Sequence, residues 1–227
     1  ALGSAAVLEL RDCSVKCASE FSAVAARDGA RVAMRGATVT SALGSGIEVS
    51  GRGSEAHVLE SAVLSCGQRG LIAAAGAAAV LERSRVWENR ASGLLLTDAH
   101  TTGTLRECDV RHNGMHGCSV QGEATLYAEK NQVVENGRSG FAVTMKARAR
   151  LEDNHVAANR RSGLVVMDAA RAGLRGNRLV DNAKCGVLCH GPGVRVCLAG
   201  DTLARNAGSG LVIQDKARAL LEGLTVR

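Results

Sequence analysis

The sequence predicts an all-β solenoid of parallel strands, about nine to ten coils of 23 or 24 residues, and three observations carry that prediction. Glycines recur at a constant spacing, apolar residues alternate in short bursts between them, and aromatic side chains are almost absent. The chain has 227 residues, 46% of them apolar and 22% charged, with 27 glycines and one proline, and its only rings besides histidine are Phe21, Trp87, Tyr127 and Phe141. Charge and apolar content near the globular average exclude wholesale disorder. No apolar run reaches the length of a membrane-spanning helix. A site that stacks sugars or bases, like an ordinary core of this size, would use more rings. One domain spanning 1–227 is expected.

The repeat is read first from a glycine between two characteristic neighbours: Ser45-Gly46-Ile47, Arg69-Gly70-Leu71, Ser92-Gly93-Leu94, His116-Gly117-Cys118, Ser139-Gly140-Phe141, Ser162-Gly163-Leu164, Cys185-Gly186-Val187 and Ser209-Gly210-Leu211. Four residues before six of these glycines stands an asparagine, Asn89, Asn113, Asn136, Asn159, Asn182 and Asn206; nine before three of them stands another, Asn131, Asn154 and Asn177. Ser61, Ser84, Cys108 and Asp201 hold that second column elsewhere, and two residues beyond it runs a column of aliphatics from Val15 and Val39 to Leu203 and Val226. Apolar bursts of three to five residues are a strand signal and too short for helix. Three short strands and three turns fill one repeat. Stacking the repeats pairs each strand with its copy about 4.8 Å away, which only a parallel solenoid does in register. Asparagine tolerates the left-handed backbone conformation, and its amide can bond to the copies above and below as a ladder. Gly51, Asp98, Gly122, Asp168, Gly191 and Asp215, five residues after the repeat glycine, mark a further tight bend. Inward columns hold pairs such as Leu94/Leu96 and Leu164/Val166. Leu126 and Ala128 in one coil answer Ala149 and Leu151 in the next, an exchange that conserves core volume.

The pattern N-x-V-x-x-N-x-x-x-G-[LIVF]-x-V, as in residues 131–143, resembles the right-handed parallel β-helix repeats of the pectin-lyase-like superfamily, over residues from about 5 to 227. The resemblance implies a single-stranded right-handed helix. It leaves activity open, because the superfamily holds pectate lyases, polygalacturonases, alginate epimerases and phage tailspikes beside non-catalytic repeat domains, some adjacent to F-boxes. The paired aspartates of polygalacturonases and the D-P-H-D type motif of alginate epimerases have no counterpart here, nor do long inserted loops that would wall a groove. A first partial coil is expected from Ala5 to Leu10 and a last one broken in mid-coil at Arg227. With no capping helix at either end, the chain is expected to be part of a longer protein or to abut a partner.

Eight cysteines are present. Cys118 and Cys189 fall in inward columns, and Cys66 and Cys108 in asparagine columns, where a free thiol acts as a small buried hydrophobe. Cys13-x-x-x-Cys17 and Cys185-x-x-x-Cys189-His190 lack the tight C-x-x-C spacing of structural zinc sites, and alternation turns their members different ways, so no metal or other cofactor is predicted. The positions form no disulfide framework, which points to a reducing, intracellular and cytoplasmic setting.

The formal charge is +6. Arg148, Arg171, Arg195 and Arg218 recur at the repeat spacing and are expected to stack as an outward ridge. Like charges so placed repel unless an acidic partner covers them. Glu82, Arg106, Glu129, Glu152 and Arg175 form a mixed column of cross-coil salt bridges. Glu88, His112 and Glu135, each preceding a ladder asparagine, place a histidine between two carboxylates, a general acid–base arrangement or an opposite-charge surface ladder. Trp87 and Arg111 in the same coils are expected to pair as cation and ring.

Two functions follow. Loop-free regularity and the missing acid cluster favour a non-catalytic scaffold that binds a protein partner or joins a larger assembly, through Arg148, Arg171, Arg195, Arg218, Trp87 and Arg111. The alternative is a lyase, hydrolase or epimerase acting on an acidic polysaccharide, with Glu88, His112 and Glu135 as its catalytic residues. Nucleic acid is disfavoured because no rings interleave with the arginines, and insertion into a membrane is not expected.

Overall fold

The computed structural model describes residues 6–41 and 43–227, so Ala5, where the first coil is expected to begin, lies outside the described residues. Every described strand belongs to one of three parallel sheets, two of ten strands and one of nine, and among the described residues there is no helix. One coil illustrates all of them. Arg148–Glu152 lies in the first sheet (sheet A), His155–Ala157 in the second (B) and Leu164–Met167 in the third (C). The chain then enters sheet A again at Arg171, directly against Arg148.

The predicted register is observed. Asn136 and Asn159 stack: Asn136 Nδ2 donates to Asn159 Oδ1 at 3.0 Å, and Asn159 Nδ2 donates to Asn182 Oδ1 at the same distance. A second ladder runs through Asn131, Asn154 and Asn177 and ends on Asp201 Oδ1. Where Ser61 and Ser84 replace asparagine, their hydroxyls accept the backbone N–H of the preceding coil as the amide does. Each bond is buried, contributes on the order of 1 kcal/mol, and would cost more than that to leave unmade.

One local expectation is corrected. The ladder asparagines do not take the left-handed conformation; the residue before each does, with φ of 55° at Glu88, 54° at His112, 55° at Glu135 and 56° at Asp181. The bend is made one step early, which leaves the asparagine side chain turned inward under the turn and its N–H aligned with the axis. A non-glycine residue there costs about 1 kcal/mol, offset by the amide bonds that follow. Its side chain points to solvent, so serine, glutamate, histidine, alanine, aspartate and arginine all occur in this column.

The repeat glycine serves close approach. A Cβ on Gly163 would stand 2.8 Å from the Gly186 carbonyl oxygen and 3.1 Å from Asn182 Nδ2. Inward columns bury nearly completely, including both halves of the volume exchange, Leu126 with Ala128 and Ala149 with Leu151, which pair in register. Phe141 is the one ring fully inside, and Phe21 is 80% exposed. The core is therefore a narrow rod of aliphatics, and burying each Leu or Val contributes about 1.5–3 kcal/mol.

All eight thiols are free. Burial pushes Cys66 and Cys108 up to about 11 and Cys189 up to about 12, so these sulfurs stay protonated and inert.

Candidate functional site

With the inside filled, chemistry is left to side chains on the outer faces. The four predicted arginines do stack: Arg148 pairs in register with Arg171, Arg171 with Arg195, and Arg195 with Arg218, all exposed at the leading edge of sheet A. Trp87 sits under two guanidiniums, Arg111 at 5.1 Å and Arg85 at 5.3 Å from the ring centre. Arg111 is itself held by both carboxylate oxygens of Asp109.

Glu88, His112 and Glu135 stand in consecutive left-handed turns between sheets B and C. His112 Nε2 approaches Glu135 Oε2 at 3.2 Å, with about half of each side chain in solvent. Glu88 does not close on the histidine from the other side; it accepts a hydrogen bond from Ser65 Oγ at 3.3 Å. The structure thus joins His112 to Glu135, leaves Glu88 on its own branch, and keeps the arginine ridge on a different edge of the solenoid.

A constellation that sequence reasoning did not single out lies at the start of sheet C. His116, Ser139 and Ser162 precede successive repeat glycines, and Arg138, Arg161 and Lys184 precede Ser139, Ser162 and Cys185 on successive coils. Their register is set by the backbone, Arg161 N–H donating to the Arg138 carbonyl and Lys184 N–H to the Arg161 carbonyl, both at 3.1 Å. Together they line a groove of about 260 Å³ whose floor includes Ala142, Val165 and Leu188, with Thr144 and Met167 beyond. Ser139 is 1% exposed, yet its Oγ has no hydrogen-bond partner, and neither has the buried Nδ1 of His116. Burial first, then the charge of Arg138, pushes the His116 imidazole down to about 4, so it is neutral near pH 7.

Among the described residues no carboxylate comes within ion-pair distance of Arg138, Arg161 or Lys184. Nearer the N-terminal end of the same face the charge is closed: Arg27 bonds Glu48 at 2.8 Å, and Ser22 donates to the same carboxylate. Three exposed cations beside an apolar floor make a site that can receive an anion. The signal available in the sequence was the basic column two residues before the glycines, at the same 23-residue spacing that revealed the arginine ridge.

Comparison with known proteins bears on the scaffold. A family model described as "Right handed beta helix region" matches residues 3–149 and 45–203. No curated protein matches the sequence. Among solved structures, a T265N mutant of the periplasmic alginate epimerase AlgG superposes with a TM-score of 0.73 at 14% identity, over 98% of this chain and 73% of that one. Pectate lyase Pel9A gives 0.65 at 15% identity, over 83% and 54%, and the A-module of the Azotobacter vinelandii mannuronan C-5 epimerase AlgE4 gives 0.57 at 12%, over 98% and 89%. At these identities the likeness is one of fold.

Proposed function

This chain belongs to the right-handed β-helix family, and from that premise and the outer face of sheet C we propose that it binds and acts on an acidic polysaccharide. The observation that carries the reading is the groove holding three uncompensated cations, Arg138, Arg161 and Lys184, beside the unpartnered Ser139 Oγ and His116 Nδ1. A polymer of uronic acids supplies what the cations lack, a carboxylate on every ring. Alginate, mannuronan and pectate, the polymers in the names of the structural neighbours, are of this kind.

The chemistry suited to such a site is proton removal from the carbon next to the carboxylate. Arg138 and Arg161 hold the carboxylate and stabilise the charge that develops on it. A bound carboxylate also offsets the guanidinium field that depresses His116, so the imidazole becomes more basic when substrate arrives. The proton passes to the imidazole and the electron pair into the carboxylate. Reprotonation on the other face by water, with the imidazolium returning its proton to the hydroxide left behind, gives an epimer; departure of the neighbouring glycosidic oxygen, which carries off the imidazolium proton as a hydroxyl, gives an unsaturated end.

The test incubates the protein with alginate and with pectate, measuring binding by calorimetry, inversion by proton NMR and unsaturated ends by absorbance. Arg138→Glu/Arg161→Glu is expected to weaken binding at least tenfold, and His116→Ala to abolish turnover while binding persists. Undiminished binding by the double variant, or no binding by the native protein, defeats the reading. A second reading, the protein-interaction scaffold, draws its support from coils that keep to 23 or 24 residues and leave the sheet faces free of inserted loops.

A further inference from the structure

The outer face of sheet A carries a charge arrangement that the sheet C reading does not use. Its first-position column runs Arg31, Glu55, Ala78, Thr102, Thr125, Arg148, Arg171, Arg195, Arg218 in register. At the N-terminal end the one arginine is answered by the next coil, Arg31 Nε standing 3.4 Å from Glu55 Oε2. The last four positions are all arginine, and among the described residues none of them has a carboxylate within ion-pair distance. The ground on either side is cleared. Toward sheet C a groove of about 590 Å³ is lined by Thr125, Lys146, Arg148, Arg171, Gly193 and Arg195, and its one carboxylate, Glu123, is answered by Lys146 at 3.6 Å. Toward the sheet centre Gly173 presents no side chain, opening a dent bounded by Arg171, Arg195 and Cys197.

We infer that Arg148, Arg171, Arg195 and Arg218 form a second track for a carboxylated polysaccharide, lying along the solenoid axis and separate from the sheet C groove. Bare charge in a straight row selects the occupant. Stacked coils present one guanidinium about every 4.8 Å, and a polyuronate is a stiff polyanion with a carboxylate on every sugar ring that lies along such a row with little freedom to lose. An acidic peptide must first give up the freedom of its backbone to lie straight along the axis. A nucleic acid strand would need rings to stack its bases, and the groove and dent beside the ridge hold none but His100. Arginine suits the task because its planar fork takes a carboxylate through two parallel hydrogen bonds. The track shares a class of polymer with the sheet C site and no residue with it, so each stands without the other.

The experiment uses the full chain carrying Arg138→Glu/Arg161→Glu, with and without Arg171→Gln/Arg195→Gln, and the ridge substitutions alone; melting curves confirm the fold of each. Probes are long-chain alginate, an alginate trisaccharide, poly-glutamate and a single-stranded DNA oligomer. Long alginate is expected to stay bound when only the groove is altered, and to lose at least tenfold in affinity when the ridge is altered as well. The ridge substitutions alone are expected to weaken long alginate and leave the trisaccharide within twofold. Less than a twofold effect of the ridge on long alginate overturns the inference while leaving the sheet C reading intact. Ridge-dependent binding of poly-glutamate or DNA as tight as that of alginate overturns it by naming a different partner. Loss of all binding on altering the groove alone overturns the independence of the track.

Discussion

Two columns on the outer face of sheet A differ by four positions in the chain and by everything in their electrostatics. The trailing column alternates: Arg106 lies between Glu82 at 3.6 Å and Glu129 at 3.7 Å, and Arg150 reaches Glu152 at 2.6 Å. Where two acids fall on neighbouring coils, Glu129 and Glu152, the Tyr127 hydroxyl donates between them at 2.9 and 3.1 Å, and Arg106 and Arg150 stand over its ring. The Arg150 guanidinium, with help from Tyr127, holds Glu152 below the usual carboxylate range. The leading column, from Arg148 to Arg218, has none of this. The same scaffold can neutralise a column of charge, so a column left bare is a property of that surface and not of the fold.

The largest effect is expected where both columns depend on one buried group. Asn177 Oδ1 accepts from Asn154 N–H and Nδ2, and its own amide donates to the Leu151 carbonyl and Asp201. Asn177→Ala strands these partners without water, at roughly 1–3 kcal/mol for each buried group. A loss of about 4 kcal/mol in urea unfolding is expected; a loss below 1 kcal/mol shows that the ladder does not hold the columns in step.

A sharper comparison inserts the same residue into each column. Arg106→Glu places four acids in a row between Glu82 and Glu152 and is expected to destabilise by about 1–2 kcal/mol, several like-charge pairs at up to 1 kcal/mol each. Arg171→Glu puts an acid between Arg148 and Arg195 and is expected to be neutral or stabilising by a few tenths of a kcal/mol. Equal destabilisation by both, in paired denaturant titrations, removes the distinction between compensated and bare columns.

The smallest effect concerns the acid end of the ladder beneath them. Burial raises Asp201 above the usual aspartate value, against the pull of hydrogen bonds from Asn177 and Ala199. A raised carboxylate binds its proton more readily folded than unfolded, so its contribution to stability declines as the pH rises from the ordinary aspartate value through the raised one. Asp201→Asn removes that decline. The difference in melting temperature between the native protein and the variant should move against the native protein across this window, and a constant difference contradicts the assignment.

Much of this was legible in residue spacing. The recurrence of Gly140, Gly163 and Gly186 located the coils, Asn136 and Asn159 located the ladder, and Arg148, Arg171 and Arg195 located the ridge, because in a parallel stack equal sequence distance becomes vertical neighbourhood. Spacing did not locate the left-handed residue, which is set by how the asparagine amide must lie under the turn. It also did not separate Glu88 from His112, since neighbours in a column choose partners up or down according to side-chain reach. The groove at His116 was missed because its members are ordinary residue types, and what marks them is the polar atoms left without partners.

The amino-acid sequence by itself determined the coil length, the stacking order, the aliphatic interior and the rows of charge, all consequences of a period that each coil must share with its neighbours to pair its backbone. The tertiary structure alone decided which charges are answered and which stand bare, and where Ser139 and His116 are sealed without partners. Those outcomes rest on distances of a few ångströms between side chains on adjoining coils, and periodicity fixes which residues are adjacent without fixing how their ends meet.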